Sequence, residues 1–87
     1  MNVQREDPKA SFLEMLGRIP DCFLGGVDTA EYRDEVVAAN PAELLALIER
    51  FMGDIEKHRR GMPLIYWEEL FRLGRELSGS MDWPEKP

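Results

Sequence analysis

Cysteine occurs once in the 87 residues and histidine once, and no run of apolar residues approaches the ~18 that a membrane-spanning helix requires. A single thiol, Cys22, excludes an internal disulfide and fits a reducing compartment. The opening MNVQREDPK lacks the apolar segment of a secretory leader, so the chain reads as cytoplasmic, with no membrane association. Nowhere do polar and apolar residues alternate between turn signals, which leaves no candidate strand, and no repeat or low-complexity tract is present. Positive charge is scarce too. Eleven Lys and Arg stand against 17 Asp and Glu, a formal net charge of −6, whereas general nucleic-acid binding and attachment to anionic membranes need the opposite balance. A chain this short forms one domain, 1–87, and buries only about 60–65% of the surface its unfolded form exposes, so a binding partner would add useful stability.

The clearest signal present is NPAELLALIERFMGDIEKHRRG, 40–61. Asn40 suits a helix N-cap, Pro41 the first helical position, and Glu43 completes a capping box. Leu44, Leu47, Ile48, Phe51, Met52 and Ile55, with Leu45 at the edge, then occupy one arc of roughly 160°. Lys57, His58, Arg59 and Arg60 complement the negative end of the helix dipole, and Gly61 with Pro63 ends the element. A second long helix is expected over 63–78, with Tyr66, Trp67, Leu70, Phe71, Leu73, Gly74 and Leu77 on one half of its wheel. Glu68 and Arg72 form a favourable i,i+4 pair on the other half. Gly74, in the middle of the apolar half, is expected to let another helix approach closely.

Two shorter helices precede this pair. Asp7 and Pro8 open the first, whose Phe12, Met15, Leu16 and Ile19 recur at helical spacing until Pro20. Asp28 with Glu31 opens another, about 29–39, with Val27 placed to staple against Tyr32; Arg33 interrupts its stripe and two valines lower its propensity. Between them, Cys22, Phe23 and Leu24 are apolar enough to be expected in the core. The expected fold is all-α, a three- or four-helix up-down bundle built on an antiparallel hairpin of 41–60 and 63–78. Residues 1–6 and 79–87 are expected to be loose tails, with Trp83 the one anchor in the second.

No signature of chemistry matches these structural signals in clarity. A Cys–His nucleophilic pair would require Cys22 and His58 to meet, and a helix-end cation with a small buried thiol explains both residues without that. Metal binding has no Cys pair, H-x-x-x-H or E-x-x-H, only Asp54 with His58 at i,i+4, and no glycine-rich phosphate cradle exists, so no cofactor or metal is expected. The adjacent acids Asp34–Glu35 and Glu68–Glu69 fall on solvated helix faces rather than in a cleft. Charge placement says more. Residues 21–56 carry nine carboxylates against Arg33 and Arg50, while cations gather later, so the molecule is polarised. An acidic, weakly apolar helix at 28–39 would steer a basic protein partner, with Glu31, Asp34 and Glu35 as its contact residues. The aromatic pair Tyr66–Trp67, at the start of the last helix, is the second candidate contact, and Ile65 projects from that helix's polar side.

Three segments, FLEMLGRI (12–19), LLALIERFMGDIEKH (44–58) and LIYW (64–67), resemble the small acidic helical immunity proteins that neutralise DNase-type bacteriocins. The resemblance implies an inhibitory face made by an aromatic pair, matched by Tyr66 and Trp67, and by an acidic region that would take in Glu43 and Glu49. The chain departs from that pattern at Pro63, at Glu68 and in the extra segment 20–40. The expected function is therefore a non-enzymatic protein-interaction module, inhibitor-, immunity- or adaptor-like, that occludes or escorts a partner. The alternative is a structural homo-oligomer, such as a homodimer, in which a second copy completes the apolar stripes of the long helices.

Overall fold

A computed structural model describes residues 7–58 and 61–83, the side chain of His58 excepted. The expected contribution of Arg59 and Arg60 to a helix end, and of residues 1–6 and 84–87 to loose tails, lies outside the described residues. Among those described, the chain is all-α: α1 (Pro8–Arg18), one turn of 3-10 helix (Asp21–Phe23), α2 (Thr29–Ala38), α3 (Pro41–His58) and α4 (Leu64–Ser78).

Each α-helix begins where the sequence supplies a cap or a proline. Asp7 accepts from the Lys9 amide at 3.3 Å, and Asp28 from the amides of Ala30 and Glu31 at 3.0 and 3.2 Å. The Asn40–Glu43 box is reciprocal, Asn40 Oδ1 accepting from the Glu43 amide at 2.8 Å and Glu43 Oε1 from the Asn40 amide at 2.9 Å. Pro63 precedes α4 without a side-chain cap. The far end of α4 closes on Gly79, whose φ of 72° only glycine adopts cheaply and whose amide donates to the Arg75 carbonyl at 2.9 Å.

The four helices form a four-helix bundle in which α3 and α4 pack most extensively and α2 bridges α1 and α3. Phe51, fully buried on α3, is the hub: the rings of Phe12 from α1 and Tyr32 from α2 meet it edge-to-face at 5.6 and 5.3 Å. Each such contact adds about 0.5–1.5 kcal/mol beyond burial. Leu44, Leu47, Ile48, Ile55, Leu70 and Leu73 complete the core, while Leu45 and Met52 of α3 and Tyr66, Trp67, Phe71 and Leu77 of α4 are half-buried against it.

Three expectations need correction, two about the core and one about the outer face of α4. Leu24 is buried and Phe23 half-buried, but Cys22 is exposed, because a single 3-10 turn can point only part of its circumference inward. The surface pairing on α4 runs from Arg72 to Glu69 and to Glu76, both at 2.7 Å. Gly74 receives the indole of Trp83 rather than a helix: a Cβ built there would lie 2.0–2.3 Å from three ring carbons. The chain turns back after Gly79 and drops this indole onto the α3–α4 pair, leaving Trp83 6% exposed. Its Nε1 donates to Glu49 Oε2 at 3.1 Å, and its carbonyl accepts from Arg75 Nε at 3.3 Å.

Candidate functional site

The five candidate contact residues fall on three different surfaces. On α2, Glu31 and Asp34 are exposed, and neither makes an ion pair among the described residues. Glu31 borders a shallow depression of about 380 Å³ with Asp28, Tyr32, Asp54 and Lys57. Glu35, in contrast, is turned toward α3, where Arg50 donates to its Oε2 at 2.6 Å. The acidic helix thus presents two of its three candidate carboxylates, and the third is engaged internally.

That engagement belongs to a chain of bonds that fastens α2 to α3. Tyr32 donates its hydroxyl to Asp54 Oδ2 at 2.5 Å and accepts from Arg50 Nε at 3.3 Å, while the Arg50 guanidinium lies 4.7 Å from the Tyr32 ring centroid. Burial, then the bond to Asp54, pushes the Tyr32 hydroxyl up to about 12. Glu35, then Tyr32, raises the already high value of the Arg50 guanidinium, fixing it as a cation. One cation is therefore shared between a carboxylate and a phenol. Chemically, the arrangement orients α2; the phenol stays protonated and the guanidinium charged across the neutral range, so neither acts as an acid or base there.

Tyr66 and Trp67, expected as one aromatic tip, are split between opposite flanks of α4. Tyr66 leans toward α1 and lines a groove of about 330 Å³ with Met15, Ile65 and Glu69. Trp67 faces the α3 side, in a second groove of about 330 Å³ made with Met52, Gly53, Glu56 and Phe71; its ring stacks on Phe71 at 6.4 Å. Successive helical residues are about 100° apart, which is why neighbours in sequence need not share a face. Both aromatic rings are half-buried. Glu43 and Glu49, the acidic positions implied by the family resemblance, serve as a helix cap and as the Trp83 indole acceptor.

Beside Trp67, sequence reasoning passed over Gly53, Leu64 and Phe71 as a surface. Leu64 is 66% exposed, one turn before Trp67 on the same side of α4, and the i, i+3, i+7 spacing of Leu64, Trp67 and Phe71 was available to find it. Cys22 stands exposed on its 3-10 turn, and the His58 side chain that it would need for a dyad lies outside the described residues. Among the described residues no group of three or more His, Cys, Asp or Glu lies close enough to hold a metal ion. No helix among them is long and apolar enough to cross a membrane. Compared with protein families, curated proteins and solved structures, the chain matches none.

Proposed function

We propose that this protein is a small acidic, non-enzymatic interaction module, acting in the cytoplasm, that binds a basic partner protein to occlude or escort it. The observation that carries the reading is apolar surface left over once the core is closed. Leu64 stands 66% exposed on the Trp67 flank of α4 and Ile65 67% exposed on the Tyr66 flank, with both aromatic rings half-buried, on a chain of net charge −6. Exposed apolar side chains rimmed by charge are what a docking face requires. Glu31 and Asp34, outward and free of ion pairs among the described residues, supply the field that draws a basic partner in, and the aromatic rings slow its departure.

The test compares the wild-type chain with a Glu31→Lys/Asp34→Lys variant as baits in native-host extract at low salt, followed by affinity measurement on any basic protein retained. A partner released by added salt, and bound at least about tenfold more weakly by the variant, is the expected outcome. Identical retention by both baits, insensitive to salt, would remove α2 as the steering surface.

A further inference from the structure

The charged residues of α4 fall into two sets. Arg72 pairs within the helix with Glu69 and with Glu76, both at 2.7 Å. Glu68 and Arg75, in contrast, are exposed and make no ion pair among the described residues. These two flank the apolar stripe that the core leaves over: Leu64, exposed, with Trp67 and Phe71, half-buried. The stripe runs i, i+3, i+7, the spacing of a helix-pairing seam. Seven residues are close to two turns, so Glu68 and Arg75 stand on one side of it, about 10 Å apart along the axis. Arg75 is held in place, its Nε donating to the Trp83 carbonyl at 3.3 Å and its guanidinium lying 5.9 Å from the Phe71 ring centroid. On the stripe's other side, Glu56 and Lys57 of α3 border the depression at Gly53 and Trp67, so that edge carries both signs too.

A rim of mixed sign disfavours a uniformly basic or uniformly acidic helix, since either would set like charges together at one end of the stripe. It suits a helix with the same stripe and the reverse order of charge. The chain's own α4, run antiparallel, is such a helix. With a two-fold axis at Phe71, Glu68 of each copy lies beside Arg75 of the other, the two Phe71 rings meet, and each Leu64 covers Ser78 and Gly79 of the facing helix. Parallel pairing would instead set Glu68 against Glu68 and Arg75 against Arg75. We infer that the face of Leu64, Trp67 and Phe71 is an isologous contact between two copies of this chain, made by antiparallel α4 helices and registered by reciprocal pairing of Glu68 with Arg75. The net charge of −6 opposes the approach of two copies, but that repulsion is screened beyond about 8 Å at physiological ionic strength, while the paired charges act at contact. One helix face per copy makes a small interface, so the dimer is expected to be weak. The second copy takes the Trp67 flank and leaves α2, with the flank of Ile65 and Tyr66, to a basic partner.

The test is sedimentation of the full chain over a concentration series at physiological ionic strength, with no other protein present, so that its failure leaves the basic-partner reading standing. The mass is expected to rise from one chain to two between micromolar and millimolar protein. Glu68→Arg and Arg75→Glu, each alone, put like charges across the axis and are expected to weaken self-association by at least about tenfold. Mixed in equal amounts, these two variants restore both pairs and are expected to form a heterodimer within about threefold of wild-type affinity. Leu64→Glu is expected to abolish the dimer while the melting temperature of dilute protein stays within about 3 °C of wild type, because the site is exposed in the single chain. Arg75→Glu also removes the bond to the Trp83 carbonyl, so if it unfolds, Glu68→Arg and Leu64→Glu decide the matter alone. A single-chain mass at every concentration overturns the contact. So does a dimer that Glu68→Arg and Leu64→Glu leave unweakened, which puts the second copy on another face. Folded charge variants that fail to pair when mixed overturn the antiparallel register.

Discussion

The two flanks of α3 are closed by different physics. Toward α4 the join is a fit of shapes: the Trp83 indole occupies the space that Gly74 leaves, and one hydrogen bond to Glu49 orients it. Toward α2 the join is polar, a sequence of bonds through Glu35, Arg50, Tyr32 and Asp54, with only Tyr32 and Val36 of α2 itself buried. Apolar closure of this kind is insensitive to pH and salt, while a half-exposed polar chain responds to both. The acidic face proposed to steer a partner therefore rides on the element held by the more tunable join.

The largest expected effect strikes the first flank. Gly74→Ala would ordinarily gain about 1 kcal/mol of helix propensity. Here the new Cβ would overlap the indole ring, so the substitution is expected to expel Trp83 and to cost about 3 kcal/mol in urea unfolding. Paired with Trp83→Ala it should be strongly non-additive, since either change empties the same contact. Trp83→Phe, which keeps a ring but loses the bond to Glu49, is expected to cost about 1–2 kcal/mol by the same measurement.

Changes on the second flank are expected to be smaller but condition-dependent. Tyr32→Phe removes the donor to Asp54 and is expected to cost about 1 kcal/mol near neutral pH. The Tyr32 hydroxyl is raised in the folded protein, to about 12 against an ordinary value of about 10, so its contribution is fully present below about pH 10. It is lost as pH rises toward 12, because the unfolded chain gives up the proton first. Denaturation midpoints measured across that window should fall for the wild type and fall less for Tyr32→Phe. Smallest is Glu35→Gln: with Arg50 and Glu35 side chains 47% and 40% exposed, the pair is expected to contribute about 0.5 kcal/mol at low salt and less in high salt.

Local signals in the sequence were sufficient for what is local. Asp7, Asp28 and the Asn40–Glu43 box cap the helices they were expected to open, and the stripe from Leu44 to Ile55 faces the core, because both depend on residues three or four apart. What escaped sequence reasoning is long-range. Nothing near Gly74 says that the group approaching it is an indole from beyond the helix end, and nothing near Trp83 points to Glu49, 34 residues earlier. Arg50 and Glu35 likewise sit on separate helices 15 residues apart, so Glu35 read as a free surface charge. The split of Tyr66 from Trp67 was within reach, since the same 100° step that placed the core residues separates these two. Their adjacency in sequence obscured it.

Native-state hydrogen exchange tests the contrast between the flanks most directly, because it reads the opening free energy of each helix in the intact protein. The amides of α3 and α4 are expected to exchange only through global unfolding, while those of α2 open at lower free energy, and lower still in high salt. Exchange of α2 at the same free energy as α3 and α4, unmoved by salt, would contradict the account.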